Sequence, residues 1–362
     1  MATVTGDNNN NWLIGTGDAD TINGLGGNDT LKGGGGADRL EGGAGIDTAI
    51  YADSPGQVSV DLQTGAGLFG NAQGDRLIGI ENVYGSGAFD LLYGNDVANT
   101  LSGASGDDWL DGRGGADVLE GGYGSDRLTG GSGGDVLNGG EGDDLAIYRE
   151  SPSGVLVSLA SGYVTGGDAG GDTLISIEHI DGSEFTDFLL GNDGSNRLTG
   201  WGGNDSLKGF GGSDTLQGGE GHDTVQGMDG DDFLYGDGGN DQLTGGVGVD
   251  FMKGGGGADT FIWSSIDDTG TTAETGDFVE DFVPGDGDRL DVSGVDADIY
   301  AAGDQPFRFI GNAAFSGTPG EINYVHQDGH TIIQMQTGTS ADVEGVIRIP
   351  GIVTPEASWF VL

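Results

Sequence analysis

The chain has 362 residues, 80 of them glycine and none cysteine, and carries 59 acidic against 12 basic side chains for a formal charge of −47. Glycine at about three times ordinary usage, without a period of three, excludes collagen. The acidity excludes nucleic acid and anionic membrane surfaces as partners, because the basic residues, from Lys32 to Arg348, never gather into a patch.

No run approaches the roughly 18 apolar residues of a transmembrane segment. Met1 to Asp7 has neither a basic segment nor an apolar stretch and does not read as a Sec signal peptide. An acidic, glycine-rich chain reads by default as disordered. Here the acids are periodic, which favours ligands over a solvated tail and order once a cation is present.

In chain order, residues 1–50 form a first array in which Asp20, Asp29, Asp38 and Asp47 stand nine residues apart, after a degenerate unit with Asn11 in the aspartate place. The unit is G-G-x-G-x-D-x-U-x, with U apolar. An insert follows at 51–84. A second array at 85–147 carries Asp90, Asn99, Asp108, Asp117, Asp126, Asp135 and Asp144 at the sixth position. Residues 148–181 repeat the first insert at an offset of 97: Ala49-Ile50-Tyr51 recurs as Ala146-Ile147-Tyr148, and Ser54-Pro55 as Ser151-Pro152. The third array, 182–262, runs through Asp187, Asn196, Asp205, Asp214, Asp223, Asp232, Asp241, Asp250 and Asp259. Within the inserts, Val58–Leu62 and Leu77–Val83 read as short strands, part of further coils or a flap on the same solenoid. Residues 263–362 leave the period.

Glycine at the first, second and fourth positions allows positive φ and a tight turn with inward carbonyls. The three residues after the aspartate read as a strand whose middle side chain alone faces the core. One nonapeptide is a half-turn, so a coil takes 18 residues and Asp29 stacks on Asp47. The expected fold is all-β, a parallel β-roll (β-solenoid) with ions between coils. Stacked carboxylates and carbonyls call for a hard cation, and a carbonyl-rich, largely dehydrated site favours Ca²⁺ over Mg²⁺. The candidate ligands are Asp20, Asp29, Asp38, Asp47, Asp108, Asp117, Asp126, Asp135, Asp144, Asp205, Asp214, Asp223, Asp232, Asp241, Asp250 and Asp259. Asp277, Asp281, Asp286, Asp288 and Asp291 divide evenly between a terminal calcium site and simple turns.

The nonapeptides over 6–50, 85–147 and 182–262 resemble the RTX family of secreted bacterial proteins, whose repeats form a calcium-loaded parallel β-roll. Residues 263–362 resemble the C-terminal domain of serralysin-type metalloproteases, through Gly276-Asp277-Phe278-Val279-Glu280-Asp281-Phe282, Gly287-Asp288-Arg289-Leu290-Asp291-Val292-Ser293 and Ala314-Phe315-Ser316-Gly317-Thr318-Pro319-Gly320-Glu321-Ile322. That resemblance implies a region completing the roll, an uncleaved export signal read by a type I secretion apparatus, and an extracellular or cell-surface location. Glu356 before Trp359-Phe360-Val361-Leu362 is similar to the family's acidic residue ahead of a terminal apolar run.

The protease itself is not implied. H-E-x-x-H is missing; His326 and His330 have the spacing without the glutamate and read as a hairpin with two exposed histidines. Gly130–Gly134 matches G-x-S-x-G by repetition, without the strand-to-helix context a nucleophile requires. Tyr51, Tyr84, Tyr93, Trp109, Tyr148 and Trp201 read as insert packing or, less favoured, a carbohydrate-facing surface. The expected function is a secreted, calcium-folded, non-enzymatic binding, matrix or surface module, with an extracellular polysaccharide or a cell surface as candidate partner. The alternative is an accessory, non-catalytic part of a secreted exoenzyme such as a metalloprotease or polysaccharide-modifying enzyme. A membrane-active toxin ranks lowest, and no threonine ladder supports ice binding.

Overall fold

Strands 18 residues apart pair in parallel, in the register the repeat dictates: Val4 lies beside Ile22, Ile22 beside Leu40, and Leu13 beside Leu31. The computed structural model describes residues 1–301, 303–340 and 342–362. It is nearly all-β and forms a parallel β-roll divided into two compact units, Met1–Asp181 and Gly182–Leu362. Among the described residues no helix is long and apolar enough to cross a membrane.

Side-chain alternation selects the core. The eighth residue of each nonapeptide points inward and is fully buried: Leu101, Leu110, Leu119, Leu128 and Leu137 in the first unit, and Leu198 through Leu243 to Met252 and Phe261 in the second. Replacing Leu119 with alanine, which leaves a cavity one coil deep, is expected to cost about 2–5 kcal/mol in thermal unfolding. Many strands run six residues rather than three, as in Thr215–Glu220, because the chain stays extended through the first glycines and pairs there too.

Positive φ falls on the second and fourth positions and not the first. The second position accepts side chains in this conformation, among them Leu25, Arg113, Trp201 and Met228. The first position needs glycine for close approach, as described below.

Both readings of the inserts are realised. In the first, Ser59–Asp61 and Ala66–Leu68 make a hairpin, while Arg76–Ile78 and Asn82–Tyr84 pair in parallel with Arg39–Ala44 and Thr48–Ile50 and so continue the coils. In the second, Leu156–Ser158 pairs antiparallel with Val164–Thr165, and Thr173–Ile175 and His179–Asp181 continue the coils on Val136–Glu141 and Leu145–Ile147. Gly130–Gly134 is a turn of the roll, with Ser132 bridging Gly114, and no helix follows it.

In the second unit, Asp277–Val279 pairs with Phe251–Gly256, and Arg289–Asp291 with Thr260–Ile262, both in parallel. Gly345–Pro350 and Phe360–Val361 add one strand beyond each. Glu321–Gln327 and His330–Gln336 form an antiparallel hairpin that leaves His326 exposed and His330 half-buried; among the described residues no cluster of metal-ligating side chains includes them.

Candidate metal centres

The sixth-position aspartates stack as ladders whose two oxygens do different work. Oδ1 accepts the backbone N–H of the aspartate one coil earlier: Asp29 donates to Asp47 at 2.7 Å, Asp108 to Asp126 at 2.7 Å, and Asp205 to Asp223 at 2.8 Å. Oδ2 is buried and has no protein donor in fifteen aspartates: Asp29, Asp38, Asp47, Asp108, Asp117, Asp126, Asp135, Asp144, Asp205, Asp214, Asp223, Asp232, Asp241, Asp250 and Asp259. Of the sixteen candidates, Asp20 alone differs. Its Oδ2 accepts the backbone N–H and the hydroxyl of Thr16, both at 2.7 Å, and its Oδ1 takes the N–H of Ala2.

Beside many of these free oxygens lies a backbone carbonyl, as at Asp29, Asp126, Asp205 and Asp241. A Cβ on Gly200 would lie 2.3 Å from Asp205 Oδ2 and 2.5 Å from the carbonyl oxygen of Gly218; on Gly236 both distances, to Asp241 Oδ2 and Gly254 O, are 2.5 Å. The first position therefore has no room for a side chain. The two oxygens are also at most about 5 Å apart, within the span of one cation whose oxygen ligands lie at about 2.3–2.6 Å. Carboxylate and carbonyl oxygens with no N–H among them form the donor set of a hard divalent ion, so these residues fit calcium.

Without a cation the carboxylates are poorly solvated. Burial raises Asp205 and Asp250 to about 8, with neighbouring carboxylates adding to it, and raises Asp108, Asp117 and Asp241 to about 7.

Sequence reasoning missed how the ladders begin and end. One ladder of each array begins on asparagine (Asn11, Asn99, Asn196) and its companion on an aspartate whose Oδ2 accepts the N–H of Thr16, Ser86 or Ser183. Asn99 puts Oδ1 where the others place Oδ2, accepting the N–H of Asn95 at 2.8 Å, and its Nδ2 donates to the Glu81 carbonyl at 2.8 Å. An amide suits this place because Glu81, one coil earlier, offers a carbonyl acceptor to it.

One ladder of each array ends on an aspartate capped by an aromatic donor. Asp75 and Asp172 accept the N–H of Asp38 and Asp135 on Oδ1, and the hydroxyls of Tyr51 and Tyr148 on Oδ2 at 3.1 Å. In the second unit Asp277 accepts from Asp250 and, at 2.7 Å, from the indole Nε1 of Trp263. Burial, then the adjacent carboxylate, pushes the two tyrosines well above their ordinary values, so they remain donors. The companion ladders end on Glu81, Glu178 and Asp288.

Tyr51 and Tyr148 are thus buried caps, which removes them from any carbohydrate-facing surface. Asp277, Asp288 and Asp281 have protein donors: Asp288 Oδ2 takes the N–H of Val283, and Asp281 those of Gly254 and Gly255. Trp263→Phe keeps the ring but orphans Asp277 Oδ2, and is expected to cost about 1–3 kcal/mol in thermal unfolding of the calcium-loaded chain.

Among solved structures, the AlgE6R2 subunit of the Azotobacter vinelandii mannuronan C5-epimerase matches at 24% identity over 48% of this chain and 91% of its own, with a TM-score of 0.31. The AlgE6R3 subunit of that enzyme matches at 26% identity over 49% and 78%, with a TM-score of 0.25. The extracellular lipase LipA from Serratia marcescens matches at 17% identity over 76% of this chain and 40% of its own, with a TM-score of 0.29. No curated protein matches the chain.

The family model of the RTX calcium-binding nonapeptide repeat matches at 5–38, 14–49, 77–110, 84–119, 93–128, 111–146, 181–209, 208–243 and 226–261, and so reaches into the coil-forming half of the first insert. Since these matches take in more than half of the 362 residues, the chain belongs to the RTX calcium-binding nonapeptide-repeat family.

Proposed function

We propose that the chain is a calcium-folded, non-catalytic extracellular binding module, exported by a type I secretion apparatus. The observation that carries this reading is the set of fifteen buried Oδ2 atoms without a protein donor. They lie on both ladders of every array, and a cation between coils satisfies them. Asp20, capped by Thr16, closes the first ladder from protein donors instead. In this role calcium is a condition for being folded rather than a reagent: it joins the oxygens of successive coils and discharges their mutual repulsion. The fold it completes is a lateral sheet surface, lengthened by the 97-residue duplication, which suits contact with a cell surface or an extracellular polymer.

Equilibrium dialysis of the full chain against calcium tests the reading. Cooperative uptake of several ions per chain, in step with the gain of β-structure, is expected. A chain that holds its β-structure while taking up no calcium contradicts it. For export, co-expression with a type I exporter is expected to deliver the chain to the medium, and deletion of residues 263–362 to retain it.

A further inference from the structure

The 97-residue duplication gives the first unit two versions of one surface feature. In the second version a cleft of about 310 Å³ lies between the second array and the following insert, walled by Asp111, Arg113, Thr129, Glu150, Ser151 and Asp168. The residues 97 positions earlier are Ile14, Thr16, Lys32, Asp53, Ser54 and Asn71. The polar framework is kept to the bond. Ser54 Oγ donates to Gly56 O at 2.7 Å and accepts the N–H of Asn71 at 3.0 Å; Ser151 Oγ does the same with Ser153 O and the N–H of Asp168, at the same two distances.

What changes is charge. In the first version the Lys32 ammonium lies 3.0 Å from Asp53. In the second the carboxylate is retained as Glu150, the lysine is replaced by Thr129, and Asn71 and Ile14 are replaced by Asp168 and Asp111. Cations are gained as well: Arg149, in the place of Ala52, is outside the lining of the cleft and has a partner of its own, and Arg113, which is in the lining, is already engaged. The Arg113 guanidinium pairs with both oxygens of Asp61 at 3.0 and 3.1 Å, donates to the Gly94 carbonyl at 2.9 Å and covers the Tyr93 ring. The same wall that holds an internal ammonium in one copy has lost it in the other and gained carboxylates, and the cleft there is open.

We propose that this cleft binds an external alkylammonium group, as presented by a lysine side chain or an amino sugar, in the place that Lys32 fills in the first copy. Glu150 and Asp168 receive the charge, and the smaller Thr129 leaves the space. The proposal rests on the reading of the chain as a binding module and gives that module a ligand class.

The test uses the full chain in calcium, its fold followed by circular dichroism while amide NMR shifts at Thr129, Ser132 and Ser151 are recorded. The probes are N-acetyl-lysine amide and glucosamine, with N-acetyl-norleucine amide and N-acetylglucosamine as their uncharged counterparts. Saturable shifts with the charged probes and none with the uncharged ones are expected, and the tighter of the two charged probes identifies the source. Asp168→Asn, which restores the residue of the first copy, is expected to weaken binding about tenfold, the worth of one charge-assisted hydrogen bond. Thr129→Lys refills the cleft from within and is expected to abolish the shifts without altering the fold. Equal response to charged and uncharged probes, no saturable response from the folded chain, or undiminished binding in Thr129→Lys overturns the proposal. The dichroism trace reports on the calcium reading and the shifts on the cleft, so failure of one is not mistaken for failure of the other.

Discussion

Dialysis against a chelator at pH 8 is expected to abolish the β-sheet circular dichroism of this chain, and millimolar calcium to restore it. Leaving one buried polar oxygen unsatisfied costs about 1–3 kcal/mol, and more when it is charged. Fifteen such oxygens, set in a chain of net charge −47, outweigh the roughly 5–15 kcal/mol by which domains are usually stable.

The same carboxylates fix the sign of the pH dependence. In the metal-free fold burial raises them to about 6 for Asp126, Asp144, Asp214, Asp232 and Asp259, and to about 7 or 8 for Asp241, Asp205 and Asp250. In the unfolded chain they titrate near 4. The folded form therefore binds more protons between pH 4 and 8, and its stability is greatest below that window and falls as pH rises through it. Protons stand in for calcium: at pH 5.5 the chelated chain is expected to keep much of the β-signal that it loses at pH 8. Equal loss at both pH values, or β-structure retained in chelator at pH 8, contradicts this account.

Gly142→Ala is expected to be among the most damaging conservative changes in the second array. Gly142 has φ +148°, and a Cβ there would lie 1.7 Å from the carbonyl oxygen of Gly124, one coil away. Backbone on both sides of this contact leaves nothing to rotate aside, so the coils must part, and the parting severs the ladder bonds between them. Destabilisation of more than about 3 kcal/mol follows, with a higher calcium midpoint. Gly87 is the control: it also sits within a nonapeptide, has no positive φ, and a Cβ there meets nothing within 4 Å. Gly87→Ala should stay within about 0.5 kcal/mol of the parent. Similar melting curves for the two variants would show that coil spacing is not set by these glycines.

The roll and its aspartates were legible in the sequence because both obey a period. A nine-residue beat with an apolar residue two places after each aspartate leaves few alternatives to a coil of 18. Asn11, Asn99 and Asn196 look like decay of the repeat but each starts one ladder of its array, where the amide of Asn99 donates to the Glu81 carbonyl and that of Asn11 to the Asp7 carboxylate; the cue was present without its meaning. The caps were not legible. Tyr51 and Tyr148 reach carboxylates 24 residues on, whereas Trp263 reaches one 14 residues on. No common spacing announces them, and an aromatic amid polar, glycine-rich neighbours resembles a surface residue. Only the pairing of insert strands on array strands, at separations other than 18, brings donor and acceptor together.

The aspartate ladder has a grammatical direction. Every N–H in it is completed by a side chain from a later coil, so each coil is the unfinished clause of the one that follows. Stripping coils from the C-terminal side leaves buried donors, those of Asp250 and Asp259 first, with nothing to receive them. Stripping coils from the N-terminal side leaves the donors of the ladder itself satisfied and frees carboxylate oxygens, which water or an ion can serve; the donors lost there belong to the backbone pairing, such as Thr21 N–H, which gives to the Ala2 carbonyl at 3.0 Å. The aspartate ladder, unlike the backbone pairing around it, is therefore anchored downstream.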